Sequence, residues 1–364
     1  MDKLIYEKLL EAVARRGGGF PIIEHPSFHE IMDLLFTEEE AKIAAVIPAK
    51  PATAEDLAAV LNITPDAARE KLEGMARRGT VFAGDIAGRK IYSLFPFIPG
   101  MMENQIMTGA TDERAKRLAL LCYEYAEFVA KISASSSASL PKVPFVRVLA
   151  VDKNVPDDTT IQPYDRILEY IDKAENITQV VCHCRHSAEL LGVKCDKPKD
   201  VCLSVGPGAK YMAEYGLGKA ITHEEARRIL QRAEDAGLVH IASNTGKYLD
   251  LICNCCSCHC DNIISMKKAG DARVLVARSS FIAALDVSEC IGCEDCITRC
   301  PMDALTMKGD VAALDDKRCI GCGLCISTCP SGALKLQNRE NAPVPYEDSR
   351  KLNAAIVASI VKPS

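Results

Sequence analysis

Eight cysteines near the C-terminus form two runs with the same C-x2-C-x2-C-x3-C spacing, and a proline follows each run. This spacing is typical of chains that hold [4Fe-4S] clusters through cysteine thiolates. The first three thiolates of a run can reach three irons of one cube, whereas the fourth points away and completes the neighbouring cube. We therefore predict crossed ligand sets. Cluster I would use Cys290, Cys293, Cys296 and Cys329, and cluster II would use Cys319, Cys322, Cys325 and Cys300.

A pair of zinc sites is the alternative interpretation of these runs, but zinc usually takes two separated C-x2-C pairs. Gly292, Gly321 and Gly323 lie inside the runs, where the absence of a Cβ lets the backbone approach a cluster closely. The region from about 284 to 337 closely resembles the bacterial-type two-cluster ferredoxin domain. The resemblance implies one-electron transfer at low potential.

Nine further cysteines lie in the middle of the chain. They are Cys182, Cys184, Cys195, Cys202, Cys253, Cys255, Cys256, Cys258 and Cys260. Because residues i and i+2 of a strand share a face, Cys182 with Cys184, or Cys253 with Cys255, could chelate one metal. The adjacent Cys256 should point away from Cys255. Four thiolates satisfy one zinc or one cubane, so the nine leave room for a third iron–sulfur cluster, a zinc ion or both. The ferredoxin runs favour iron–sulfur.

Three histidines stand beside these thiols: His183, His186 and His259. Imidazole ligates both zinc and iron, but a hydrogen bond to a thiolate or to solvent is the favoured role here. Arg185 follows Cys184 directly and could lower the local negative charge.

The N-terminal part predicts helices followed by a hairpin. Thr37 and Thr53 each precede a helix with an acidic residue three positions later, and Thr64 precedes a helix over 66–78. Strands near 81–82 and 91–92 flank a turn at 87–88, which completes a winged-helix order. Residues 1–110 carry 12 Lys and Arg against 16 Asp and Glu. Because DNA-binding proteins usually present a basic face, we favour a protein-docking module over a DNA-binding one.

The middle of the chain predicts alternating strands and helices. A long helix over 112–133 leads into a Ser-rich stretch over 132–139 that marks a linker. Strands over 145–151 and 177–182 enclose a helix over 164–174, which is an α/β pattern. Gly206-Pro-Gly208 lacks the frame of a nucleotide-binding loop and predicts a tight turn.

The whole chain has 364 residues, 48% apolar composition and a net charge of −5. Its eighteen cysteines, without a secretory leader, favour a reducing cytoplasm and metal binding over a disulfide framework. No apolar run approaches the roughly 18 residues that a membrane span requires. Net negative charge disfavours nucleic acid as a partner and suits a basic protein partner or a flavoprotein.

The order of motifs resembles a family of multidomain 4Fe-4S binding proteins of anaerobes. The resemblance rests on the winged-helix order, Cys182-His-Cys184-Arg185, Ile252-Cys-Asn-Cys-Cys256 and the two ferredoxin runs, and it implies iron–sulfur electron transfer. The chain is predicted to be an α+β multidomain protein. We expect a winged-helix-like docking domain over 1–110, a long helix and linker over 111–140, a Cys-rich metal-binding α/β domain over 141–283, a two-[4Fe-4S] ferredoxin domain over 284–340 and a tail helix over 341–364.

The leading hypothesis is an electron-transfer component of an anaerobic oxidoreductase complex rather than a stand-alone enzyme. Its partner would be a redox protein, for example a flavoprotein or a larger oxidoreductase complex. One alternative is an oxidoreductase that binds a substrate at the mid-chain cluster. The other is a redox-responsive regulator that binds DNA through its winged helix.

Overall fold

The computed structural model describes residues 1–16, 22–135, 143–156, 163–269 and 276–361. The chain divides into two compact units. The first comprises Met1–Leu140, His186–Lys194 and Tyr211–Lys219, and the second comprises Pro141–Arg185, Cys195–Lys210 and Ala220–Ser364. The second unit therefore includes the predicted ferredoxin region and most of the predicted Cys-rich region, whose segments His186–Lys194 and Tyr211–Lys219 belong to the first unit.

The first unit is helical apart from one hairpin. Its elements are α1 (Lys3–Ala14), α2 (Pro26–Leu35), α3 (Glu38–Val46), α4 (Ala54–Leu61), α5 (Pro65–Arg77), β1 (Val81–Ile86), β2 (Arg89–Leu94), α6 (Met102–Ile106) and α7 (Glu113–Ser135). Capping boxes at Thr37 and Thr53 begin α3 and α4, and the Thr64 side chain caps α5. The predicted helix starts are confirmed, because each cap satisfies backbone N–H groups that have no partner inside the helix.

The hairpin β1–β2 is antiparallel and turns at Ala87 and Gly88, as predicted. Both turn residues have positive φ, which a two-residue hairpin turn of this type requires. The Tyr211 ring packs near Phe82 and Phe95, and its hydroxyl donates to the Ala76 carbonyl at 2.7 Å. These contacts join the 211–219 segment to the hairpin within the first unit.

The second unit contains a mixed sheet with helices along the chain between its strands. Its first elements are β3 (Val146–Leu149), α8 (Ile167–Lys173), β4 (Ile177–Val180), α9 (His183–Leu190), β5 (Cys202–Val205), α10 (Pro207–Glu214), β6 (Lys219–Ala220), α11 (His223–Asp235), β7 (Val239–Ser243), β8 (Leu251–Cys255), α12 (Asp261–Ala269) and β9 (Val276–Ala277). The last part of α9, the last part of α10 and Lys219 of β6 belong to the first unit. The strand order is β6-β4-β5-β8-β7-β3-β9.

The two faces of this sheet pack into different cores. On β7, Val239 and Ile241 belong to one buried cluster, whereas the next residue, Ala242, belongs to another. We call these the ferredoxin-side core and the helix-side core, since the first includes residues of the ferredoxin region and the second includes residues of α8 and α11. The alternation follows from the two-residue period of a strand.

The ferredoxin region consists of short elements. They are β10 (Phe281–Leu285), α13 (Asp295–Arg299), β11 (Leu305–Lys308), β12 (Val311–Leu314) and β13 (Leu334–Asn338), and α14 (Ser349–Val361) follows them. Antiparallel pairing joins β10 to β13 and β11 to β12. The structure contains the predicted tail helix, and Leu352 and Ile356 of this helix are buried. Among the described residues, no helix combines the length and apolar character that crossing a membrane requires.

The predicted strand over 177–182 is wrong at its end. Strand β4 stops at Val180, and Cys184 lies in the first turn of α9. The backbone N–H of Cys182 donates to the Lys199 carbonyl at 2.8 Å, which is not a contact of the strand ladder. Residues 183–191 include good helix formers such as Ala188 and Leu190, so helix propensity takes over directly after Cys182.

Candidate metal centres

The eight ferredoxin cysteines line two separate cavities. One cavity is lined by Cys300, Cys319, Cys322 and Cys325. The other is lined by Cys290, Cys293, Cys296 and Cys329. The structure thus groups these cysteines in the crossed sets that the spacing predicts. Four thiol sulfurs around one cavity are the donors that a [4Fe-4S] cluster takes, so the residues fit such clusters. Their role as ligands stays a prediction.

Two glycines let the cysteine loops lie close to neighbouring backbone. Gly321 has φ +71°, and a Cβ there would collide with the Phe281 carbonyl oxygen of β10. Gly292 has φ +68°, and a Cβ there would lie 2.5 Å from the Asp310 carbonyl oxygen. The structure therefore explains both residues by close contact with protein backbone as well as by their left-handed conformation.

Backbone amides donate to the cysteine sulfurs at both cavities. The Ala304 N–H lies 3.3 Å from Cys300 Sγ, and the Ala312 N–H lies 3.4 Å from Cys290 Sγ. Such hydrogen bonds stabilise negative charge on a thiolate and influence the potential of a bound cluster.

Burial governs the protonation of the ferredoxin thiols. It raises the pKa of Cys325 to about 12, with nearby Cys300 and Cys319 adding to the effect. Burial also raises the pKa of Cys322 well above its ordinary value. The free thiols of Cys322 and Cys325 are therefore protonated at neutral pH, and metal binding there must release these protons.

Six of the mid-chain thiols form a closed ring, which we call the six-thiol ring. Each thiol in it interacts with the next. In ring order they are Cys182, Cys184, Cys260, Cys255, Cys253 and Cys202.

Sheet topology builds this ring from cysteines that are distant in sequence. Strands β4, β5 and β8 are neighbours, and Leu203 and Ser204 of β5 pair with Ile252 and Leu251 of β8. One further step of this register places Cys202 opposite Cys253. Residues two apart on β8 share a face, which brings Cys255 beside Cys253, as predicted.

The pKa values around the ring alternate. Hydrogen bonds from Cys202 and Cys255 lower the pKa of Cys253 to about 5. The pKa values of Cys182 and Cys260 fall for the same reason, since each accepts from its two neighbours in the ring. The three intervening thiols act as donors, so their pKa values rise. A ring of soft sulfur donors fits an iron–sulfur cluster.

Arg185 supplies positive charge to the ring. Its side chain is fully buried, and Nη1 donates to the Asn254 carbonyl at 2.9 Å. Its Nε and Nη2 make no hydrogen bond to any described residue. Burial lowers the pKa of Arg185, but electrostatic interaction with Cys182 and Cys202 more than offsets this and holds it above its ordinary value. Two unpartnered donors beside thiols suit a negatively charged group bound there.

A buried polar network supports β8 behind the ring. His240 Nδ1 lies 2.5 Å from Asn254 Oδ1, and His240 Nε2 lies 3.2 Å from Glu234 Oε1. The Asn254 amide donates to the Val201 carbonyl beside Cys202. No spacing pattern in the sequence indicates this network.

The remaining mid-chain cysteines form a second group with one histidine. The donor atoms of Cys195, Cys256, Cys258 and His259 all lie within 4.8 Å of one another. Cys256 contributes to the helix-side core, whereas Cys255 contributes to the ferredoxin-side core. The predicted divergence of these two neighbours is confirmed, and it divides the nine cysteines into six and three.

The three histidines have different surroundings. His186 Nε2 lies 2.8 Å from the Ala110 carbonyl oxygen, and its Nδ1 lies 3.3 Å from Glu189. His186 thus forms hydrogen bonds, but to a backbone carbonyl and a carboxylate rather than to the predicted thiolate or solvent. His183 Nδ1 is buried and has no hydrogen-bond partner among the described residues. His259 belongs to the second cysteine group, where the sequence analysis favoured a hydrogen-bonding role.

Comparison with known proteins identifies one region. Residues 283–336 match a family model described as the 4Fe-4S dicluster domain. Searches of curated proteins and of solved structures gave no significant match. The matched region contains all eight cysteines of the two C-terminal runs. It is similar to a domain with iron–sulfur cofactors, and this similarity indicates iron–sulfur electron transfer.

Proposed function

We propose that this chain is an electron-transfer protein or subunit that passes low-potential electrons between redox partners. It would do so through two ferredoxin-type [4Fe-4S] clusters and a third iron–sulfur cluster at the six-thiol ring. The observation that carries the proposal is a shared core: Cys255 and Cys260 of the ring belong to the same buried cluster as Cys296, Cys319 and Cys322. When bound, iron–sulfur clusters accept and release single electrons.

The residues around the proposed centres hold ligands and exclude water. Cys260 of the ring is 2% exposed and Cys322 of the ferredoxin region is 8% exposed, so solvent has little access to either sulfur. Val239 and Ile241 of β7 are fully buried in the same core. A continuous apolar core between the cysteine sets excludes water. Electron exchange between the sets is then favoured, because little solvent has to reorganise when the charge moves.

Burial argues against a substrate site at the ring. Four of the six ring thiols are between 2% and 7% exposed, namely Cys182, Cys202, Cys255 and Cys260, and the other two, Cys184 and Cys253, are partly buried. A substrate-binding cluster needs an open coordination position and a path from solvent. The surplus of two thiols over the four that a cubane takes permits such chemistry, but the enclosed ring favours electron transfer.

We assign the winged-helix-like part of the first unit to protein docking. Four of the six basic residues over 65–94, the α5 and hairpin region that would face DNA, form ion pairs with acidic residues of the same unit. These pairs are Arg69 with Glu55, Lys71 with Glu39, Arg78 with Glu40 and Lys90 with Glu73. Their charges are therefore already compensated, which leaves little positive potential for phosphates. A protein partner with a basic surface fits the net charge of −5 better.

Iron analysis with optical spectroscopy of an anaerobic preparation tests the electron-transfer proposal. We expect a brown protein with iron and acid-labile sulfide in equal amounts, and dithionite should bleach its visible absorption. Cys122→Ser is the matched control, because this cysteine lies on α7 outside every proposed ligand set. An oxygen-free preparation without iron would refute the proposal.

Identification of the partner tests the docking assignment. Anaerobic purification from the native source should co-elute a redox protein, such as a flavoprotein or another oxidoreductase subunit. Gel-shift experiments at several salt concentrations, with oxidised and with reduced protein, test the competing role. We expect no DNA complex in either state; a complex that weakens steeply with salt would instead support the regulator hypothesis.

A further inference from the structure

We propose that Cys195, Cys256, Cys258 and His259 bind one zinc ion at a site separate from every iron–sulfur centre. The inference concerns a second mid-chain metal with a structural role. It does not rest on electron transfer, since zinc has no redox chemistry in proteins.

The donor geometry fits a single ion. The three sulfurs and the imidazole nitrogen lie within 4.8 Å of one another, and Sγ of Cys195 lies 3.5 Å from Sγ of Cys258. Donors around a tetrahedral zinc, at about 2.3 Å for sulfur and about 2.0–2.1 Å for nitrogen, lie roughly 3.5–3.8 Å apart.

The donor types fit zinc in a closed site. Three cysteines and one histidine are a standard structural zinc set, and four protein donors leave no open position for a substrate. His259 Nδ1 is buried and makes no hydrogen bond to the residues that the structure describes. An imidazole beside three thiols, with a buried ring nitrogen that lacks a partner, is suited to bind a metal.

The location separates this site from the six-thiol ring. Cys256 and Cys195 pack against the helix-side core, whereas Cys253, Cys255 and Cys260 pack against the ferredoxin-side core. The zinc site and the ring therefore use opposite faces of the sheet. Arg185 interacts with Cys256 of the zinc site and with Cys182 and Cys202 of the ring, so it provides positive charge to both sites.

The ion would connect two segments without regular secondary structure. Cys195 lies in the stretch between α9 and β5, and the other three donors lie in the turn between β8 and α12. Both segments lead directly into ring cysteines, Cys202 in one case and Cys260 in the other. Zinc binding here would fix the ends of the elements that position the ring.

Metal analysis of the anaerobically prepared full chain tests the proposal. We expect about one zinc per chain in the parent protein and in Cys122→Ser. Cys258→Ser should lose this zinc and keep its iron, whereas Cys253→Ser should lose iron and keep its zinc. Zinc that disappears in Cys253→Ser but stays in Cys258→Ser would overturn the proposal, as would a parent protein with iron and no zinc.

X-ray absorption at the zinc edge gives a second readout, which remains valid if Cys258→Ser fails to fold. The parent protein should show three sulfur neighbours and one nitrogen neighbour. His259→Cys should keep the zinc and change its neighbours to four sulfurs. Zinc neighbours that do not change in His259→Cys, or four sulfur neighbours in the parent protein, would contradict the proposed zinc site. Zinc without iron in the parent would instead refute the electron-transfer proposal and leave this one standing.

Discussion

The ferredoxin cysteines and the mid-chain cysteines differ in the sequence distance between the members of each site. Each ferredoxin set takes three cysteines from one loop of seven residues and a fourth from the other run. The six-thiol ring takes its members from β5, β8, the first turn of α9 and two flanking positions, up to 78 residues apart, from Cys182 to Cys260. The ferredoxin sites can therefore be predicted from local cysteine spacing, whereas the six-thiol ring forms only when the sheet brings distant cysteines together.

This difference predicts different responses to mutation. A ferredoxin ligand belongs to a loop whose main constraint is the cluster itself. A ring ligand lies on strands that pairing and two cores already hold. Loss of one ferredoxin ligand should therefore affect both metal and structure, whereas loss of one ring ligand should affect mainly metal.

The largest effect should follow Cys322→Ser. This cysteine is buried in the cavity assigned to cluster II, and its loss should remove about half of the ferredoxin iron. Because metal binding contributes directly to folding, we expect the loaded protein to lose several kcal/mol of unfolding free energy. Iron analysis and thermal unfolding measure both effects. Full iron content in this variant would break the assignment.

Cys253→Ser should give the next largest effect. The variant should lose only the iron bound at the ring, and the signals of the reduced ferredoxin clusters should persist. Strand β8 keeps its pairing with β7 and β5, so the melting temperature of the metal-free protein should change little. Circular dichroism and Mössbauer spectroscopy of the anaerobic protein provide the measurements. Equal losses at ring and ferredoxin clusters would show that the two regions are not distinct.

Comparison of Gly321→Ala with Gly332→Ala tests whether close backbone contact constrains the ferredoxin loops. Both glycines have positive φ, but a Cβ at Gly332 would meet nothing within 4 Å, whereas one at Gly321 would meet β10 backbone. We expect Gly332→Ala to cost about 1–2 kcal/mol for its conformation alone. Gly321→Ala should cost at least about 2 kcal/mol more, as denaturant unfolding can measure. Equal losses of unfolding free energy in the two variants would show that close contact with β10 does not constrain Gly321.

Arg185→Met should have the smallest effect and should act on the ring alone. A reduced cluster carries more negative charge, so loss of a buried cation should lower the potential of the ring cluster. A hydrogen bond to a charged group contributes about 1.5–3 kcal/mol, which corresponds to a shift on the order of 60–130 mV for one electron. Redox titration should show unchanged ferredoxin potentials, and Arg185→Lys should restore part of the shift. A uniform shift of all centres would contradict this role.

Local patterns predicted local features well. The capping boxes at Thr37 and Thr53 are present, because a cap depends on residues within one turn. The crossed grouping of the ferredoxin cysteines also follows from short spacing. The divergence of Cys255 and Cys256 was available from strand periodicity alone.

Non-local features could not be predicted in this way. The approach of Cys202 to Cys253 depends on β5 and β8 being neighbours in the sheet, and no local pattern encodes strand order. Cys195 joins Cys258 across 63 positions of sequence, again through the fold. The strand predicted to reach Cys182 was wrong because the following residues favour a helix.

An EPR-monitored reductive titration of the anaerobic full chain tests directly whether the chain holds an iron–sulfur cluster at the six-thiol ring in addition to two ferredoxin clusters. If two ferredoxin clusters and one ring cluster each accept one electron, full reduction should give about three spins per chain, broadened by coupling between neighbours. Two of these spins should remain in Cys253→Ser. A total of about two spins in the parent chain, unchanged by that substitution, would contradict an iron–sulfur centre at the six-thiol ring.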